Sequence, residues 1–135
     1  MKIAVRYHTR SGNTQKLAEA IGAALSVQPQ DLSVPMTEKA DLLFLGCSYY
    51  AFDVDEAVKD FITHNREHIG EIVCFGTSAM MQSMKKPLRK IAEPLGIPVA
   101  DEEFHCRGSF GILHKGRPNE KDLQEAAAFA AAILQ

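Results

Sequence analysis

The segment YHTRSGNT, residues 7–14, puts three hydroxyl side chains, a glycine and an asparagine into the six positions after Tyr7-His8. Small neutral donors at that density suit a phosphate dianion. A helix N-terminus offers unpaired backbone N–H groups and a partial positive charge, and an anion seated there needs little else. Gly12 permits a sharp turn and a close backbone approach. Thr9, Ser11 and Thr14 add hydroxyl donors, and Asn13 either tolerates unusual backbone angles or caps the helix. The same residue types also build ordinary capped turns, so local composition leaves both readings open. Rival phosphate motifs are absent. The chain has no GxxxxGK[ST] and no GxGxxG, and it lacks the acidic pair that would hold a metal after a receiver domain's first strand. HCRGSFG, 105–111, is no phosphatase loop, because Ile112 stands where C-x5-R spacing requires arginine. His64 and His68 are spaced i, i+4, but none of the five histidines belongs to a cysteine or carboxylate constellation. They read as surface residues, with no metal site expected.

A phosphate loop needs a strand before it and a helix after it, and the sequence supplies both. LLFLGC (42–47) and IVCFG (72–76) are short continuous apolar runs, as expected of parallel strands covered on both faces. IAV at 3–5 is a third, followed by Arg6, which is expected near the strand end with its charge in water. Weaker strands are expected at LSV (32–34) and within 97–110, where IPV and FHC compete. Leu17, Ile21 and Leu25, flanked by Ala18 and Ala24, predict one helix. Val58, Phe61 and Ile62 predict another, after Asp53 and Glu56 in capping-box spacing. A third covers 83–93, with Pro87 tolerated in its first turn, and a fourth runs from Asn119 through Leu123, Ala127, Ala130 and Leu134. KKPLRK (85–90) reads as a solvated helix face. Strands alternating with helices imply an open parallel sheet.

The 135 residues make one domain, 1–135, able to bury roughly two-thirds of its unfolded surface. A net charge of −2 and a pI near 6.2 argue against a nucleic-acid partner. No 18-residue apolar run is present, so no membrane span is expected. Cys47, Cys74 and Cys106 form an odd set without CxxC spacing, and no signal-peptide pattern opens the chain. The expected location is cytoplasmic.

With its strand and helix assigned, T-x-S-G-N-T at 9–14 after KIAVRY resembles the [ST]-x-[ST]-G-N-T phosphate loop of the flavodoxins. LGCSYYAFDVDEAVKDFI (45–62) is similar to that family's strand, then small residue and aromatic, then helix. FGTSA (75–79) stands where the family has its second flavin loop. FHCRGSFG and HKGRPNEKDLQEA, within 104–126, resemble the end of short flavodoxin-like proteins. The likeness spans nearly the whole chain.

It implies an α/β, flavodoxin-like open five-stranded parallel sheet in the order 2-1-3-4-5, with helices on both faces. It also implies flavin mononucleotide (FMN) at the C-terminal ends of strands 1, 3 and 4, which is where open α/β sheets bind ligands. By the resemblance, Thr9, Arg10, Ser11, Gly12, Asn13 and Thr14 make the phosphate cradle, with Arg10 at its variable position. Ser48, Tyr49, Tyr50 and Ala51 form the first flavin loop. Tyr50, rather than Tyr49, is expected to stack on the isoalloxazine. Gly76, Thr77, Ser78 and Ala79 line the flavin's other edge with backbone groups. Cys47, beside the flavin, reads as a small buried thiol.

The implied function is an electron carrier working between a reductase and an electron acceptor, as a monomer or weak dimer. Such a protein tunes its cofactor and has no substrate of its own, so no catalytic residue is expected. Two alternatives stand beside it: an FMN-dependent NAD(P)H or quinone-type reductase, and a cofactor-poor regulatory module on the same fold. Flavodoxins are typically strongly acidic. At −2, steering of basic partners depends on whether Asp53, Asp55 and Glu56 concentrate the negative field at the flavin rim.

Phe52 departs from the family pattern. Related short chains often place glycine there, where the peptide must turn so that its carbonyl meets a half-reduced flavin. A residue with a Cβ makes that turn costlier by roughly 1–2 kcal/mol. Phe52→Gly should therefore increase the one-electron-reduced fraction during a dithionite titration followed by absorption, with the equilibrium moving by about a decade.

Overall fold

Leu42, Leu43, Phe44, Leu45 and Cys47 are all buried, because both faces of their strand are covered. The computed structural model describes residues 1–9, 12–48, 56–77, 83–106, 116 and 118–134. Within them the chain runs β1 (Ile3–Tyr7), α1 (Asn13–Leu25), β2 (Gln30–Asp31), β3 (Ala40–Ser48), α2 (Glu56–His64), β4 (Ile69–Thr77), α3 (Lys85–Ala92), β5 (Val99–Cys106) and α4 (Glu120–Ile133). Single 3-10 turns at Arg66–His68 and Glu93–Leu95 lead into β4 and away from α3. The five strands form one parallel sheet in the order β2-β1-β3-β4-β5.

Each sheet face closes its own core. Leu43, Leu45, Cys47, Ile72 and Cys74 pack beneath α2 and α3, against Val58, Phe61, Ile62, Leu88 and Ala92. Val5, Leu42, Phe44, Val73 and Phe75 pack beneath α1 and α4, against Leu17, Ala18, Ile21, Ala126 and Ala130. The expected stripe of α1 is present, except that Ala24 is exposed. In α3, Pro87 is the third helical residue, where its missing N–H leaves no bond unmade. In α4 the Asn119 side chain accepts from Asp122 N (3.0 Å) and Asn119 N donates to an Asp122 carboxylate oxygen (2.8 Å), a complete capping box. The capping pair expected at Asp53 and Glu56 falls partly outside the described residues, which resume with Glu56 at the start of α2.

Two expectations need correcting, for the second strand and for Arg6, and a third is sharpened. The second strand is Gln30–Asp31, not 32–34. Leu32 N still donates to Tyr7 O (3.1 Å), but Asp31 Oδ1 then accepts from Ser33 N (2.7 Å) and the Ser33 hydroxyl, a local turn that competes with the ladder. The fifth strand, expected within 97–110, is Val99–Cys106, which holds all of FHC and only Val99 of IPV. Its pairing with β4 jumps from Ile72↔Val99 to Cys74↔Glu103, a bulge on an edge strand that carries Asp101, Glu102 and Glu103. Arg6 is not a solvated strand-end residue. It is 8% exposed, within β1, and opposite Leu45 in register.

At the carboxyl end of β3, Gly46 allows a close approach. A Cβ built there would lie 2.3 Å from Phe75 Cε2 and 3.0 Å from Thr14 Cγ2. Gly46→Ala should lower stability by about 1–3 kcal/mol, the usual cost of overpacking. The check is urea unfolding, with a lower midpoint and an unchanged slope.

Candidate functional site

β1 connects to β2 on one side, and β3 lies on its other side, so the crevice above β1 and β3 is the topological switch point of the sheet. The loop opening that crevice is held by its own residues. His8 N donates to Gly46 O (2.9 Å), prolonging the β1–β3 ladder by one bond. Gly12 N donates to Thr9 Oγ1 (2.9 Å), closing a tight turn. Gly12 itself has φ 88° and ψ −4°, a left-handed conformation that disfavours any residue with a Cβ. It is the N-cap of α1, and Lys16 N donates back to its carbonyl (3.2 Å). Asn13 is therefore already helical and is not the cap.

The contrast with α4 defines the site. α4 begins with a capping box and two acidic residues in its first turn. α1 has no side-chain cap and no acidic residue in its first turn. The positive end of its dipole therefore meets no carboxylate from its own first turn. Among the other loop residues of 9–14, Asn13 and Thr14 are buried, and Arg10 and Ser11 lie outside the described residues. Thr14 turns inward: its hydroxyl meets the Thr77 hydroxyl at 3.2 Å, with both groups buried. That contact joins the start of α1 to the end of β4.

The second and third segments are seen at their strand ends. Ser48 closes β3 opposite Thr77, and Tyr49, Tyr50 and Ala51 lie outside the described residues. Gly76 is a β4 residue between Cys47 and His105, so tightly enclosed that a Cβ would fall 1.9 Å from Cys47 O. Ser78 and Ala79 are outside the described residues. Sequence reasoning missed His105. It is partly buried beside Gly76, with an Nδ1 that has no hydrogen-bond partner, and is not a surface histidine. It also missed Glu103, which accepts from Ser83 Oγ (2.6 Å) and Met84 N (3.3 Å) and so fixes the approach to α3. Neither role has a local sequence signal, because each depends on the β4–β5 register.

An open groove of about 700 Å³ flanks the loop, lined by His8, Thr9, Asp31, Ser33, Phe61 and His64 among others. Hydrogen bonds from Ser33 hold the Asp31 carboxyl below the usual range, helped by the charge of His8. Burial, then Asp31 and Glu19, raise the Tyr7 phenol. Among the described residues no three His, Cys, Asp or Glu side chains group as metal ligands, and no helix is long and apolar enough to cross a membrane.

No family model matches the chain. An uncharacterized protein of Methanocaldococcus jannaschii is 28% identical over 137 residues, covering 91% of each chain. A flavodoxin from the domain Archaea superposes with a TM-score of 0.75 at 21% identity, over 98% of this chain and 96% of that one. A Lactobacillus acidophilus flavoprotein, solved in complex with FMN, superposes with a TM-score of 0.62 at 15% identity, over 77% of this chain and 91% of its own. The chain has the flavodoxin-like fold.

Three tests follow from the geometry. A double-mutant cycle with Thr14→Val and Thr77→Val should give a coupling of about 0.5–1.5 kcal/mol in unfolding free energy. The buried thiols should be inert to DTNB until the protein unfolds. Burial first, and Glu103 second, push Cys47 up from the ordinary 9.0 to about 12. The folded chain thus keeps a proton that the unfolded chain loses. The associated stability is complete below the unfolded value and is lost as pH rises from about 9 towards 12. Cys47→Ala should flatten that alkaline slope in denaturant titrations.

Proposed function

We propose that this protein binds FMN across the carboxyl ends of β1, β3 and β4 and carries electrons between redox partner proteins. The observation that supports this most directly is the uncapped start of α1. It has a left-handed Gly12, no side-chain cap and no first-turn carboxylate, and it lies at the switch point of the sheet within T-x-S-G-N-T. The donor set fits a phosphate monoester. Backbone N–H groups of the first turn carry the dipole's positive end, and Ser11 and Thr9 supply hydroxyls. Thr9 accepts from Gly12 N and so keeps its own O–H proton for an outside acceptor.

When bound, FMN supplies one- and two-electron transfer; the rest is what this chain's residues do. The phosphate cradle anchors one end. Ser48, Tyr49, Tyr50 and Ala51, together with Gly76, Thr77, Ser78 and Ala79, would flank the ring system. Tyr50 would stack on one face, a contact worth roughly 0.5–1.5 kcal/mol beyond the area it buries. Thr14 acts differently from Ser11. Its hydroxyl is shared with Thr77, so it would brace the cradle from below as well as contact the phosphate.

The purified protein should carry or take up one FMN per chain, with flavin bands in its visible spectrum. Riboflavin should bind far more weakly. Ser11→Ala should cost about 1.5–3 kcal/mol of FMN affinity, the scale of a hydrogen bond to a charged group. Electrons should pass from a reductase through the protein to an artificial acceptor, with negligible unaided oxidation of NADH or NADPH. Equal affinity for riboflavin and FMN would sink the phosphate-cradle reading, and rapid NAD(P)H turnover by the protein alone would sink the carrier reading.

A further inference from the structure

Arg6 poses a problem that the flavin site does not solve. The residue is 8% exposed on a strand inside the sheet. Its Nε donates to Val34 O and its Nη1 to Val5 O, each at 3.3 Å. Among the described residues it has no carboxylate partner and its Nη2 has no acceptor. Burial lowers its pKa. Lysine in such a place could shed its proton, but a guanidinium cannot, so the charge persists and asks for a counter-charge.

The surroundings are formed to supply one from outside. Arg6 lines a cavity of about 240 Å³ along the β2 edge, together with Lys2, Gln30, Thr37, Glu38 and Lys39. Lys2 is engaged by Glu38. Counting Arg6, Lys2 and Lys39 against Glu38, the lining carries three positive charges and one negative, a local +2 on a chain of net −2. Gln30 and Thr37 add neutral donors. None of the cavity's lining residues belongs to the phosphate loop or to either flavin loop.

We infer that this cavity is a second anion site, in which Arg6 binds a small oxyanion (phosphate, sulfate or carboxylate) through its free guanidinium donors, with Lys39 at the mouth. Arginine suits that task because its planar fork matches the paired oxygens of such groups. The inference is independent of FMN: it uses other residues and another end of the molecule.

The test uses ¹⁵N-labelled protein saturated with FMN, so that the loop at 9–14 is occupied, at ionic strength held constant with NaCl. Inorganic phosphate, sulfate and acetate are titrated in turn while the arginine Nε–H resonances are followed. The Arg6 signal, identified by its loss in Arg6→Met, should shift saturably with at least one probe. The acetate arm separates a carboxylate site from one for tetrahedral oxyanions. Lys39→Met should weaken the effect several-fold. In anion-free buffer Arg6→Met should be at least as heat-stable as the wild type, because it removes an unmatched buried charge. The effective anion should then raise the wild-type melting temperature and leave the variant's unchanged. A linear drift no larger than that from NaCl, for every probe, means an adventitious ion only and overturns the inference. So does an equal thermal shift in Arg6→Met. If that variant does not fold, the wild-type resonance and Lys39→Met still decide the matter. A protein that takes up no FMN removes the functional proposal alone, since the Arg6 signal reports locally either way.

Discussion

The contact between the Thr14 and Thr77 hydroxyls, 3.2 Å apart in the interior, ties the start of α1 to the carboxyl end of the sheet. α1 leaves the tip of β1, yet the partner of its second residue is on β4, two strands away. The helix can reach it only by passing low over β3, and Gly46 is the β3 residue in between. Without a Cβ there, Thr14 Cγ2 and the Phe75 ring settle into the space together. One absent side chain thus leaves room for both the start of α1 and the Phe75 ring beneath it. A polar contact so deep is unforgiving, because either hydroxyl left without its full set of partners would be stranded away from water.

The charge arrangement of the helices follows a consistent division. α4 satisfies its own N-terminus through Asn119 and Asp122, and α3 has Ser83 and Glu103 at its approach. Among the described residues, α1 has neither a side-chain cap nor a first-turn carboxylate, and α3, which also lacks a side-chain cap, has the Glu103 carboxylate on Met84 N instead. Where stability is the sole requirement, a chain gains about 1 kcal/mol from a side-chain cap. At the switch point the start of α1 is shaped by the left-handed Gly12, whose N–H is held by Thr9 Oγ1.

Much of this was legible in the sequence, for reasons that differ by element. β3 and β4 announce themselves because burial on both faces forces uninterrupted apolar runs, and α4 because Asn119 and Asp122 form a local cap. β2 was misplaced because it is two residues long, and its end is set by an Asp31–Ser33 turn that outcompetes the apolar look of LSV. β5 was blurred because an edge strand with a bulge can carry three consecutive acidic residues. The loop at 9–14 was readable as a composition, but the direction of Thr14 was not. A threonine in a first helical turn can face out or in, and only the β4 strand end, 63 positions away, decides. Of the two roles open to Asn13, unusual backbone angles or the cap, it has neither: Gly12 holds the left-handed cap position, and glycine brings no side chain by which a cap is recognised.

Arg6 and His105 were illegible for a shared reason, and it bears on how such folds are built. Both are polar groups buried by the sheet itself, one toward the β2 edge and one beside β4 on the β5 edge. Central strands cannot tolerate them: β3 offers each face a helix and has no route to water. Near an edge, a long or planar side chain can keep its body in the core while its polar end meets a carbonyl, as Arg6 meets Val34, or a cavity. Near-edge positions are therefore where a flavodoxin-like sheet can accept unmatched polar chemistry without losing its core. In this chain they are occupied by a cation that cannot be neutralised and an imidazole nitrogen that has no partner. The middle of the sheet is closed by helices on both faces, and its margins are where this sequence places its unmatched polar groups.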